Sequence, residues 1–447
     1  MRSNCQWCLD RRVLIATVCA MFVDITATPG SEKPDFRTSS IPLPDRSGLF
    51  PFEPHIAVDP ENPDRLVVGV MFRGVVGKGD DQRGDSRLLT WHSVNGGRTW
   101  SVPVAPLGDV DRPAGRLGSD PVLAWGPGQT CWLSGCDHDW HLLKPNYSSV
   151  KVCPSEDGGK TWRAPVTVAE LDNDKKGKGF VEKQWQAVDR SAGPHRGTLY
   201  VAWSRLDEES RHFDLRCAAL PPGAKQFTAS VRLGSPIPLK GGDDLIHGVQ
   251  LAVRPDGTLD AVWRLGPKDR LMHASSLDRA KSFSQPLPIS ENERDATGQS
   301  PSLAATPAGG LLLAWRRQND VLISVLESGR WKDPSPISGT LPEDVRLSHP
   351  AAAATAGSLW VLAYRREEKP VRLMVVLYRS TDRGKLWQEH CVLASREFGD
   401  GKAPKNSPGD YVGLSSAKGS VYAAYVLPAE GRDQKPQLYV STIRITE

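Results

Sequence analysis

Ser155-Glu156-Asp157-Gly158-Gly159-Lys160-Thr161-Trp162 is the stretch whose reading decides the fold. It recurs as Ser93-Val94-Asn95-Gly96-Gly97-Arg98-Thr99-Trp100 and as Ser380-Thr381-Asp382-Arg383-Gly384-Lys385-Leu386-Trp387. A degenerate copy, Ser276-Leu277-Asp278-Arg279-Ala280-Lys281-Ser282-Phe283, lies between them. Each copy has the chemistry of a tight turn joining two strands. The Asp or Asn accepts hydrogen bonds from the turn's own backbone, Gly supplies a positive φ, and the closing aromatic anchors the next strand. A hairpin stamped repeatedly on one chain is a repeat signature, and the repeat sets the architecture.

Working outward, each module reads as strand, turn, strand ending in aromatics, loop, strand, box or turn, strand. Inner strands begin near Pro54-His55-Ile56, Pro121-Val122-Leu123, Trp185-Gln186-Ala187, Gly248-Val249-Gln250, Pro301-Ser302-Leu303, Pro350-Ala351-Ala352 and Tyr411-Val412-Gly413. Second strands rich in β-branched and aromatic residues follow, such as Leu66–Phe72, Thr198–Trp203 and Ser358–Tyr364. The step between modules, about 50 to 67 residues, suits one four-stranded propeller blade with generous loops. The last module has three strands, and Ser39-Ser40-Ile41-Pro42-Leu43 has no partner of its own. Pairing these ends would close the ring and protect both edges. The expectation is an all-β protein, one β-propeller of four-stranded blades over residues 38–447. Seven blades are counted, with six as the alternative. No helix of consequence is expected.

Composition narrows the partners. The 447 residues carry a net charge of +4 with no Lys/Arg-rich run, which argues against nucleic acid. Residues 1–27 read as a signal peptide: Arg11 and Arg12 precede the apolar run Val13 to Val23, and Ala27 offers a small residue for cleavage. That run is too short to span a bilayer and no later one is long enough, so the protein is expected to be secreted or periplasmic. Cleavage would remove Cys5, Cys8 and Cys19 and leave Cys131, Cys136, Cys153, Cys217 and Cys391. If residues 131–136 and 148–153 form a simple hairpin, Cys131 faces Cys153; a cross-strand disulfide and buried thiols are both open.

If the boxes join the third and fourth strands, they lie on the face opposite the usual active site and are structural. The residue before or at each inner strand then points to the axial opening: Glu53, Asp120, Lys183, His247, Gln299, His349 and Asp410. All are polar, where the residues following are mostly apolar. Wet propeller channels would suit any polar residue; a ligand site would suit this set of acids, bases and one Lys better. Five second strands end in Arg: Arg73, Arg205, Arg264, Arg316 and Arg365. Guanidinium groups on that face would hold an anionic sugar, or they would pair with nearby acids such as Asp207, Glu367 and Glu368. Asp137-His138-Asp139-Trp140-His141 has metal-binding residue types but no specific metal-site spacing. No cofactor is expected; an axial metal ion is the open alternative.

The boxes are Asp-boxes, S-x-D-x-G-x-T-W, and the chain resembles the sialidase/BNR-repeat family. Three further segments are similar to a bacterial branch of it: Glu53-Pro54-His55-Ile56-Ala57-Val58-Asp59-Pro60, Glu182-Lys183-Gln184-Trp185-Gln186-Ala187-Val188-Asp189, and Gly409-Asp410-Tyr411-Val412-Gly413-Leu414. The resemblance implies a glycan-acting propeller, a sialidase-like glycoside hydrolase using a Tyr nucleophile, an activating carboxylate, an Asp acid/base and an Arg triad. On this chain those roles fall to Tyr411, to Asp410 or Glu53, and to Asp120, with Lys183, His247, His349 and the recurring Arg binding substrate. The chain departs from the family at Ser39-Ser40-Ile41-Pro42, which has no Arg where the first triad member belongs. The alternative is a non-catalytic propeller that binds glycan or protein through the same face.

Overall fold

In a computed structural model the chain describes residues 35–445, apart from 45–47, 77–82, 109–115, 142–143, 173–178, 208–211, 239–247, 266–269, 290–298, 399–407 and 429–434. The signal segment and His247 therefore lie outside the described residues.

The described residues form seven antiparallel sheets, the blades of a seven-bladed β-propeller. Blade 1 holds Leu49–Val58, Leu66–Val76 and Arg83–Ser93, with Val104 bridging to Thr90 at its outer edge. Blade 2 runs through Arg116–Trp125, Cys131–His141, Lys144–Ser155 and Val166–Asp172. Blade 3 has Gly179–Val188, Leu199–Asp207 and His212–Leu220, edged by two short strands, as blade 5 is outside Ser302–Ala305, Leu311–Arg317 and Asp320–Glu327. Blade 4 has Gln250–Val253, Leu259–Leu265, Arg270–Ser276 and Leu287–Pro288; blade 6 has Val345–Ala354, Leu359–Glu368, Val371–Ser380 and Gln388–Glu397. Blade 7 takes Gly413–Ala417, Ser420–Pro428 and Pro436–Arg444 from the end of the chain and Phe36–Ser40 from its beginning.

That last pairing closes the ring. Phe36–Ser40 runs antiparallel to Ile443–Tyr439, and the buried Ile41 continues it by donating its N–H to Leu438 O at 2.9 Å. Neither terminal strand presents an unpaired inner edge to water. The hydrophobic residues fall into seven clusters, one between each pair of adjacent blades, blade 7 with blade 1 included. A ring of sheets has no single core, so these seven contacts are where apolar burial stabilises it.

The boxes join third and fourth strands, as their turn chemistry requires. In the copy at residues 155–162, Asp157 Oδ1 accepts from Ser155 Oγ and Thr161 N at 2.9 Å each, and Oδ2 from Thr161 Oγ1 at 2.6 Å. Trp162 donates from its indole to Thr90 Oγ1 of blade 1, and Trp100 to Ser39 Oγ of blade 7, so these two boxes clip their blades to the preceding ones. Gly96 N–H bonds Asp64 O and Gly158 N–H bonds Gln129 O, so the boxes share a face with the turns between first and second strands.

The second hairpin departs from expectation. Its strands are longer than the simple hairpin, so Cys131 pairs with Ser155 and Leu133 with Cys153. Cys131 and Cys153 are offset by two residues, and both are buried thiols outside any disulfide.

Candidate functional site

The inner strands of blades 1, 2, 3 and 6 begin earlier than their apolar runs suggest, so Glu53, Asp120, Lys183 and His349 lie within them. Each opens a two-against-one bulge: Glu53-Pro54 faces one residue between Met71 and Gly69, and Asp120-Pro121 one between Cys136 and Ser134. Lys183-Gln184 and His349-Pro350 repeat the arrangement. All four first residues are left-handed, with φ of 51°, 54°, 51° and 50°. For a residue with a side chain that conformation costs on the order of 1–3 kcal/mol, and bulges of this kind re-aim a side chain. Here the re-aiming brings three of the four, with Asp410, to one point.

That point is Lys183 Nζ. It lies 2.7 Å from Asp120 Oδ1, 2.6 Å from Asp410 Oδ2 and 3.4 Å from Glu53 Oε1. The four side chains come from blades 1, 2, 3 and the segment leading into blade 7. Glu53 and Asp120 are 4 % and 5 % exposed, the Lys183 side chain is 16 % exposed, and Asp410 is the open member at 40 %. The approach is tight: Gly409, at φ 103°, would place an added Cβ 2.3 Å from Glu53 Cγ. Glu53 N–H donates to Pro408 O at 2.6 Å and Asp410 N–H to Glu53 Oε1 at 3.3 Å.

The electrostatics divide the carboxyls. Burial, only partly offset by Lys183 and reinforced by Asp120 and Asp410, pushes Glu53 up to about 8. Burial also opposes ionisation of Asp120, but Lys183 and the hydrogen bonds from Lys183 and Ser119 outweigh it and hold Asp120 down at about 2. Glu182, beside Lys183 in the chain, is raised to about 7, chiefly by burial. Lys183 stays charged because the carboxyls of Asp120, Glu53, Asp410 and Glu182 outweigh its own desolvation. Two carboxyls driven to opposite protonation states at neutral pH form the pattern of an acid beside a base.

Other expected members have different places. His349 is buried and held low, at about 4, by that burial. Its backbone N–H donates to Gln299 Oε1 at 2.8 Å, and its ring lies 2.9 Å from Gly409 O, so it knits blades 5, 6 and 7 together beside the cluster. Tyr411 faces away from Asp410, as adjacent residues do. Its buried hydroxyl donates to Pro121 O at 3.0 Å, and burial followed by Glu53 and Asp120 pushes the phenol well above its usual range. With Trp185 and His55 it forms an edge-to-face trio, ring centroids 5.3–6.3 Å apart. Beyond His55 and Trp185 runs a channel of about 470 Å³ lined by Ala57, Ala124, Ala187, Ala252, Ala304 and Ala352. The recurring Arg do not assemble as a sugar-carboxylate clamp. Arg205 turns to Asp207 at 4.0 Å, Arg365 to Glu389 and Glu367, and Arg316 to Gln318 O; Arg73 is exposed and Arg264 buried in blade 4.

Three residues were not singled out from the sequence. Glu182 adds a carboxyl to the cluster. Gln184 donates to Asp120 O and accepts from Cys136 Sγ at 2.8 Å. Cys136 reads in the sequence as a small core residue, and only its spacing of two from His138, which puts both on one strand face, could have marked it.

No protein-family model and no curated protein matches the chain. Solved structures of similar fold include the leech intramolecular trans-sialidase, 13 % identical over 78 % of this chain and 68 % of that one, TM-score 0.48. The intramolecular trans-sialidase from Ruminococcus gnavus in complex with oseltamivir carboxylate is 14 % identical over 78 % and 94 %, TM-score 0.48. The GH93 α-L-arabinofuranosidase of Fusarium graminearum with arabinobiose is 13 % identical over 88 % and 93 %, TM-score 0.44. The likeness is one of fold and assigns neither substrate nor residue.

Proposed function

We propose that the Lys183 cluster is the active site of a propeller glycoside hydrolase whose sugar is neutral or cationic. The observation that carries this reading is the convergence of Glu53, Asp120 and Asp410 on one ammonium. Oxygens at 2.6 and 3.4 Å from the same nitrogen are at most about 6 Å apart, which fits the ~5–5.5 Å of a retaining carboxyl pair and falls short of the ~6.5–9.5 Å of an inverting one. In this reading Asp410, the exposed member, attacks or stabilises the anomeric carbon. Glu53 protonates the leaving oxygen, and Lys183 and Asp120 fix the pair. With Glu53 protonated, the carboxylates of Asp120 and Asp410 still outnumber the one ammonium, so this reading takes an uncharged or amino sugar in place of sialic acid. The Tyr nucleophile is not part of this reading, because the Tyr411 proton is engaged by Pro121 O inside the fold. Export by the segment at residues 1–27 would place the enzyme outside the cytoplasm.

A second reading has its own observation. Glu53 and Asp120 are nearly sealed and both touch Lys183, which would suit a rigid floor beneath a glycan-binding surface. Turnover of a panel of neutral, amino and sialyl aryl glycosides by the wild type, Asp410→Asn and Glu53→Gln separates the two. A hydrolase loses at least a thousandfold in kcat in either variant. Absence of turnover across the panel, with glycan-array binding abolished by Asp410→Asn, would establish the binding reading instead.

A further inference from the structure

Cys136 and His138 are two residues apart on the second strand of blade 2, so their side chains leave the same face of the sheet. Their cross-strand partners are Ser119 and Leu117, on the stretch that leads into the bulge beginning at Asp120. All three side chains are buried, and one ligand atom from each, a carboxylate oxygen, the thiol sulfur and an imidazole nitrogen, lies within 4.8 Å of the other two. Asp137, between the two strand residues, points the other way and is held by Lys151 at 2.7 Å. His138, from the Asp/His run at residues 137–141, joins this grouping with Asp120 and Cys136 of the same blade.

The surroundings favour a cation. The carboxylates of Asp120 and Asp410 outnumber the Lys183 ammonium, and Glu53 Oε2 is buried without a hydrogen-bond partner. Asp120 spends Oδ1 on Lys183 and Oδ2 on Ser119 Oγ at 2.8 Å, yet a carboxylate has about four acceptor positions, so coordination need not break either bond. Gln184, from blade 3, donates to the Asp120 carbonyl and so fixes that residue from outside; it also accepts from the Cys136 thiol, a bond given up when the thiol ionises.

We propose that Asp120, Cys136 and His138 bind one divalent transition ion of the Zn²⁺ class between blades 2 and 3. A thiolate with an imidazole selects Zn²⁺ or Co²⁺ over Mg²⁺ or Ca²⁺, and three protein ligands leave a fourth position for water or ligand. Tetrahedral ligands around zinc are about 3.3–3.8 Å apart, so the three atoms draw in by up to about 1.5 Å. The ion forms a bond to sulfur, the S–H bond breaks, and one proton leaves to solvent per ion bound. This inference stands apart from the hydrolase reading, because its test reads the ion and not turnover.

The test is Co²⁺ titration of the chelator-stripped full chain. The expected result is one ion per chain with a near-ultraviolet thiolate-to-cobalt band. That band disappears in Cys136→Ser and persists in Cys217→Ser, a buried free thiol of blade 3. His138→Asn keeps the band but binds at least tenfold more weakly, and it carries the test should Cys136→Ser fail to fold. X-ray absorption of the wild-type Zn²⁺ form should show one sulfur with nitrogen or oxygen neighbours. No stoichiometric Co²⁺, a sulfur-free shell, or unchanged affinity in His138→Asn would overturn the assignment.

Discussion

Lys183→Met keeps most of the stem and removes the charge on which three carboxyls converge. At 2.6 and 2.7 Å the Asp410 and Asp120 pairs each attract by about 6 kcal/mol at an effective dielectric constant of ~20, before the desolvation of the ammonium is set against it. The net loss is smaller: removing one partner of a buried pair typically costs about 3–5 kcal/mol, because the carboxylate left behind stays buried. The cost should depend on pH. In the wild type, Asp120 is held down at about 2, so its stabilisation is present above the usual carboxyl range and lost as pH falls toward 2. Without Lys183, burial of Asp120 is opposed only by the Ser119 hydrogen bond and by His138, so its pKa rises and its carboxylate stabilises the variant less as pH rises. Glu53, already raised to about 8, moves the same way. The gap between wild type and variant should therefore be about 3–5 kcal/mol at pH 8 and shrink markedly at pH 5. Urea unfolding followed by Trp fluorescence at both pH values, with chelator present, measures it. A gap below about 1 kcal/mol at pH 8, or one that does not narrow at pH 5, would refute the reasoning.

Tyr411→Phe should cost about 1–3 kcal/mol in the same assay, since it strands the Pro121 carbonyl, and should leave any turnover within tenfold of wild type. Loss of all turnover would restore the Tyr as a nucleophile. Asp157→Ala removes the acceptor of three hydrogen bonds in a box on the opposite face; a loss of about 1–2 kcal/mol with unchanged ligand binding or turnover is expected. Arg383→Gly should raise stability by up to about 1 kcal/mol. Arg383 is exposed and left-handed at φ 62°, where the boxes at residues 93–100 and 155–162 carry Gly96 and Gly158. Starting the chain at Pro44 removes Phe36–Ser40 and Ile41; the exposed edge of Pro436–Arg444 should then make the protein aggregate on size-exclusion chromatography, whereas a monomer of unchanged melting temperature would show that closure contributes nothing.

The fold was legible because its signals are local and repeated. A box needs only Ser, Asp and Gly at fixed offsets, and the unpartnered ends at Ser39–Leu43 and Gln437–Ile445 had one economical use. The axial residues were legible as polar residues ahead of apolar runs. Their conformation was not, because a left-handed bulge at Glu53 or Lys183 is set by ring packing and not by any residue preference of Glu or Lys. The directions of the recurring Arg were not legible for a related reason. Being at the ends of second strands fixes the rim they occupy but not the side to which a long side chain turns, and Arg205 and Arg365 turn to Asp207, Glu367 and Glu389. Tyr411 has Asp410 or Glu53 as its expected base; in the segment ahead of Gly413–Ala417 its hydroxyl goes to Pro121 O and the Asp410 carboxylate to Lys183.

The repeated bulge separates chemistry from stability. Each inner strand supports the ring through the apolar residues after the bulge, such as Ile56, Val122, Val188 and Ala351, which are buried in or beside the contacts between blades. The bulged residue itself contributes to no hydrophobic cluster and carries backbone strain, so its retention has to be explained by what its side chain meets. At three positions it meets the others at Lys183, and at His349 it ties blade 6 to Gly409, the residue next to Asp410. Changing one such side chain would alter the charge of the axial opening while leaving every strand register intact. That is why Lys183, and not the box that identifies the fold, is where the function of this propeller can be tested with one substitution.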